Sequence, residues 1–167
     1  DFLQTAPDVN ESRADFARRL RQLLEALTRQ VTPARVDRLG VRYIDLIEGQ
    51  DLADIGALVH PEFAGVANTT FMPSCKYSFA DNLFDLGDAQ LAGRWGLLPE
   101  NATSDPSAIE PIARPSWILD LDMSTTTHTP FTTDSICAAT ESFAERIYAF
   151  FRWAVTDEFL RRFGGAA

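Results

Sequence analysis

Lysine is nearly missing from this chain. One lysine stands against fourteen arginines, a bias that, with abundant alanine and glycine, fits a GC-rich bacterial source. Cysteine is scarce too. Cys75 and Cys137 make no CxxC pair and no metal-ligand spacing, so the simplest reading is two reduced thiols in a cytoplasmic protein, with a disulfide as the alternative. No apolar run approaches the ~20 residues of a membrane helix, so no membrane span is expected. Glycine is not arranged for phosphate binding. Gly93-Arg94-Trp95-Gly96 lacks the spacing, the lysine and the following helix of a P-loop or a dinucleotide fingerprint. A G-x-S-x-G elbow is also missing. The two histidines, His60 and His128, have no companion motif, and the bland reading of each is a surface or capping residue. No cofactor is expected, and no repeat period appears.

What is present fits one α+β domain. The 167 residues are 46% apolar and 23% charged, enough to bury a core without staples. The first residue is aspartate, with no basic leader, and the opening nine residues show no clear period. The chain is therefore expected to be part of a longer protein lacking its N-terminal region. Net charge is −9, unevenly spread. Residues 11–42 carry eight arginines against four acids, and residues 43–134 carry three basic residues against fourteen acids. The acidic whole argues against broad nucleic-acid binding, which phosphate contacts dominate. The basic first segment is suited to docking on a second copy or on an acidic segment missing from this chain.

Ser12-Arg13-Ala14-Asp15 has the form of a capping box. Phe16, Leu20, Leu23, Leu24, Leu27 and Val31 then repeat at helical spacing, predicting an amphipathic helix of about 18 residues. From Val36 the period becomes two. Leu39, Val41, Tyr43 and Ile47 share one face, and Arg38, Gly40, Arg42, Ile44 and Leu46 the other. This tight alternation predicts the central strand, and Gly40 marks a bulge or a close approach. A short helix over 51–59 should bury Leu52, Ile55, Leu58 and Val59 and end at His60-Pro61. Strands follow over 70–86 and 89–98, with turns at Asp81-Asn82 and Gly87-Asp88. Residues 101–115 read as loop, 116–123 as a strong strand, and 124–135 as a mobile threonine-rich loop. An aromatic helix begins near Ile136, and Thr156-Asp157-Glu158 recaps a last helix that Gly164 stops.

The chemistry-bearing candidates are few. Asp120 and Asp122 share a strand face, where a D-x-D pair can hold a divalent ion. The same pair can instead form ion pairs with Arg38 and Arg42 across the sheet, or simply face water. Phe143, Tyr148, Phe150, Phe151 and Trp153 read as core, or as a partner-binding surface with Tyr148 and Trp153 at its rim.

Two segments carry a resemblance. Arg38-Leu39-Gly40-Val41-Arg42-Tyr43-Ile44 resembles the R-x-G-[LV]-R-Y-I strand of a sporadically distributed bacterial family of unknown function, with Asp45 where that family often has Asn. The tail Val155-Thr156-Asp157-Glu158-Phe159-Leu160 is similar to the family's closing V-T-[DE] helix. The resemblance spans residues 10–163. It implies that an N-terminal half belongs with this chain and carries over no catalytic residue.

The expected fold is α+β, an antiparallel sheet of four to five strands covered on one face by the first and last helices. The expected function is a non-enzymatic binding or scaffold component acting through protein–protein contacts or self-association. Candidate binding residues are Arg38, Arg42, Tyr43, Asp120, Asp122, Tyr148 and Trp153. The alternative is a metal-dependent hydrolase or nuclease-like enzyme using Asp120 and Asp122.

Overall fold

The computed structural model describes residues 9–164, with side chains from Ala14 onward. Its centre is a four-stranded antiparallel sheet in the order β2-β5-β4-β3. The strands are β2 (Gly40–Glu48), β3 (Ser78–Asp85), β4 (Ala89–Leu98) and β5 (Ser116–Thr125). Around them lie α1 (Val9–Val31), α2 (Gln50–Ala53), α3 (Ile55–Leu58), α4 (Pro61–Ala64), α5 (Thr133–Ala154) and α6 (Asp157–Phe163). A two-residue ribbon pairs β1 (Arg35–Val36) with β6 (Thr129–Pro130). The fold is α+β, as the pattern predicts.

One face of the sheet is the core. Trp117, Leu119, Leu121 and Met123 of β5 pack with Leu91 and Leu97 of β4 beneath Phe143 and Ile147 of α5. Leu52, Ile55, Leu58 and Val59 are buried as their helical spacing predicts. Pro61, however, opens α4 rather than closing a helix, because proline is tolerated at a first helical turn. Val59 bridges Val155, and the Thr156 N–H donates to the Leu58 carbonyl at 3.0 Å. The Thr156 hydroxyl then caps α6 by accepting from the Phe159 N–H.

Several sequence expectations change here. β2 is an edge strand; β5 and β4 are central. Strict alternation marks a strand with one half-open face, whereas β5 is buried on both faces through Trp117, Ile118, Leu119 and Asp120. Asp81-Asn82 is no turn but the middle of β3, where Asp81 lies opposite Arg94. Helix α1 already contains Ser12, so that residue is not its N-cap, and Asp15 instead pairs with Arg18 and Arg19. α1 packs along α5, and none of its described side chains is fully buried. The threonine-rich segment is tied down by the β1–β6 ribbon and by the Phe131 N–H donating to the Ala34 carbonyl. Gly96 meets a steric demand: its φ is +146°, and a Cβ there would sit 2.0 Å from the Ser78 carbonyl oxygen.

Candidate functional site

The second face of the sheet is polar at its centre. Asp120 is fully buried there. Period-two alternation puts it on the side of Asp122 and away from Leu119 and Leu121. On β4, Arg94 lies directly opposite Asp120; on β2, Arg42 lies opposite Asp122. Arg42 leans one pair along and grips Asp120 with two bonds, Nε to Oδ1 at 2.8 Å and Nη2 to Oδ2 at 2.6 Å. Its remaining Nη1 donates to Asp105 Oδ2 at 2.7 Å. Arg94 Nη1 adds a longer contact to Asp120 Oδ2 at 3.4 Å, and its Nε lies 3.3 Å from Asp81 Oδ1. A row of alternating charge, Arg42-Asp120-Arg94-Asp81, thus crosses all four strands.

Arg38 closes the outer end. Its Nη2 lies 3.0 and 3.2 Å from the two oxygens of Asp122. Gly40 makes this possible, since a Cβ there would come within 2.6 Å of the Arg38 guanidinium. The close approach at Gly40 is therefore the side chain of Arg38, two residues earlier and just before β2, and the β2–β5 register runs through Gly40 without a bulge.

Residues 99–115 fold over this face. Ser104 Oγ reaches Asp120 at 3.5 Å, and Asp105 binds Arg42. Asp105 also accepts from the Ser107 hydroxyl and backbone N–H, and the Thr103 hydroxyl donates to the Ile109 carbonyl. The Ser107 hydroxyl and then Arg42 hold the Asp105 carboxyl well below the usual carboxylate range. Arg42 is pushed in the other direction, above its ordinary value, chiefly by its hydrogen bond to Asp120.

Chemically this is an ion-pair cluster. Both oxygens of Asp120 and both of Asp122 lie within hydrogen-bond distance of a guanidinium, so each carboxylate is already engaged by arginine. Of the three readings of the D-x-D pair, cross-strand ion pairing is the one observed. Among the described residues, no group of three or more His, Cys, Asp or Glu side chains is placed to hold a metal. His128 Nδ1 lies 3.2 Å from the Asp37 carbonyl, and His60 begins α4 without a side-chain cap, both away from the cluster.

The seven candidate residues fall in three places. Arg38, Arg42, Asp120 and Asp122 meet on the polar face. Tyr43, 45% exposed, sits on the opposite face of β2. Tyr148 and Trp153 are on α5: Tyr148 stacks on Phe151, and Trp153 meets Phe63 edge-on at 4.8 Å while staying 56% exposed. Arg94, Asp105 and Ser104 belong to the cluster but escape sequence reasoning. Only Arg94 carries a signal, as the lone charge on its strand at an alternate position. Asp45 is a further missed residue. It lies opposite Leu119 on the helix side, and burial alone pushes its carboxyl up to about 6.

No helix of the described residues is long and apolar enough to cross a membrane. In comparisons with family models, curated proteins and solved structures, the chain finds no match.

Proposed function

We propose that the chain is a non-enzymatic protein-binding component of a bacterial system, related to the family its β2 strand and closing helix resemble. The observation that carries this reading is the open apolar stripe of α1. Ala17, Leu20 and Leu24 are half-buried, whereas Phe16, Leu23, Leu27 and Val31 stay exposed, Leu23 to 69%. Arginines flank the stripe, and Arg21 reaches Asp134 of α5 at 2.7 Å. Several large apolar side chains at helical spacing on one open surface mark an interaction surface. The exposed Tyr148 and Trp153 add amphipathic contact area.

The test is Leu23→Gln with Leu27→Gln. The double variant should melt like the parent yet lose a partner recovered by the parent in quantitative affinity capture, or lose self-association in light scattering. Unchanged capture and unchanged mass would sink α1 as the contact surface. The hydrolase alternative is weakened by the arginine occupancy of Asp120 and Asp122. A Mg²⁺- or Mn²⁺-dependent melting shift that vanishes in Asp122→Asn would revive it.

A further inference from the structure

β2 offers nine residues of strand edge, and the direction of its free groups can be worked out. The Thr125 N–H donates to the Leu39 carbonyl at 3.0 Å, and these two residues are opposite in the β2–β5 register. Bonded pairs alternate in an antiparallel ladder. Val41, Tyr43, Asp45 and Ile47 therefore turn their backbone groups towards β5. Arg42, Ile44 and Leu46 turn theirs outward. Among the described residues, no strand takes them. Between Val41 and Ile47 there is no proline, no lysine and no bulge; the edge's only charges are Arg42, engaged by Asp120 and Asp105, and the inward-pointing Asp45.

A cleft of about 190 Å³ lies beside this edge, lined by Asp45, Leu46, Ile47, Phe159 and Phe163. Asp45 has no ion-pair partner among the described residues. The arginines of α6 are already engaged: Arg162 by Asp51, Asp54 and Glu158, and Arg161 by Glu158. Further along β2, Glu48 holds Arg114. The cleft therefore combines an apolar wall with one uncompensated carboxylate.

We propose that this edge accepts an extended segment of another protein in antiparallel register, with a lysine or arginine of that segment seated in the cleft against Asp45. The assignment rests on the protein-binding reading above and names its partner's chemistry. Main-chain bonds to Arg42, Ile44 and Leu46 would supply affinity, and the cleft specificity, as in other cases of strand addition. Asp45 occupies a position that is non-bonded towards the incoming strand, where opposed side chains come closest. An aliphatic stem can lie along Ile47, Phe159 and Phe163 while its charged head meets the carboxylate. The demand for a cation comes from the cleft itself, whose one charged lining residue is Asp45. A second copy of β2 does not meet this demand, because its matching face offers Val41, Tyr43 and Ile47 and no positive charge.

The test is fluorescence anisotropy with a labelled peptide, Thr-Thr-Val-Lys-Val-Thr-Thr. Two controls replace its lysine by glutamate or N-methylate the amides on its pairing edge. The lysine peptide should bind, and both controls should bind about tenfold more weakly or worse, as should the lysine peptide to Asp45→Asn. Equal binding of lysine and glutamate peptides, or undiminished binding to Asp45→Asn, overturns the proposal; so does no binding of the lysine peptide at millimolar protein. Affinity capture separates this failure from failure of the broader reading. A partner held equally by the parent and by Asp45→Asn removes the edge assignment and keeps the binding role. No partner and no peptide binding removes both.

Discussion

Arg42 holds three separate elements with one guanidinium: its own strand, Asp120 on β5, and Asp105 in the covering loop. Removing it leaves Asp120 buried with only the longer contacts from Arg94 and Ser104. A buried ion left without its partner costs roughly 3–5 kcal/mol. Arg42→Met should lower stability by about that amount in urea unfolding, and adding Asp120→Leu should restore much of it. A full loss in the double variant would show that the cluster contributes more than mutual neutralisation. Asp45 works in the opposite sense. Its carboxyl is pushed up to about 6 from an ordinary 3.8, so the folded state holds the proton more tightly than the unfolded state. Its contribution is intact below about pH 4 and is lost as pH rises through 6, in the limit roughly 3 kcal/mol for a shift of that size. Asp45→Asn should therefore raise the melting temperature over the parent at pH 8 and leave little difference at pH 4. An equal gain at both pH values would contradict this.

The elements differ in how plainly their residues announce them. β5 and β4 are legible because their alternation sits between clear breaks, and α6 because Thr156 and the following acids spell a cap. α1 is legible as a helix but not as an open one: periodicity gives a stripe's direction, not what lies across it. The order of the strands was not legible either. The alternation that made β2 look central describes a strand with one half-open face, and an edge strand satisfies that equally well. These differences set the expected costs. Leu119→Ala, in a fully buried site, should lose roughly 2–5 kcal/mol. Leu23→Ala on α1 should stay within about 0.5 kcal/mol in the same denaturant assay. A large loss from Leu23→Ala would mean that this side of α1 is covered in solution.

At the scale of the whole molecule, helices close one side of the sheet and residues 99–115 close the middle of the other. The cluster was half legible, since Asp120, Asp122, Arg38 and Arg42 share a face by simple alternation. Arg94 and Asp105 needed the strand order and the path of the loop, neither of which leaves a local mark. The loop is fastened at Asp105, so Asp105→Ala should free it while the sheet stays intact. Hydrogen exchange should then quicken over residues 99–115, with β4 and β5 still protected. Quickening throughout the sheet would instead make the loop part of one cooperative unit with it.

The row of charges running from Arg42 to Asp81 also bears on how the chain finds this arrangement. Side chains on a strand alternate, so sliding β2 by one residue against β5 would carry Arg42 to the apolar side and strand Asp120 without its main counter-charge. A slip of β3 against β4 would likewise part Arg94 from Asp81. Apolar residues tolerate many near-matches; charges that must meet the buried Asp120 tolerate few. The polar face thus works as a proofreader during folding, penalising misaligned pairings that greasy contacts alone would let pass.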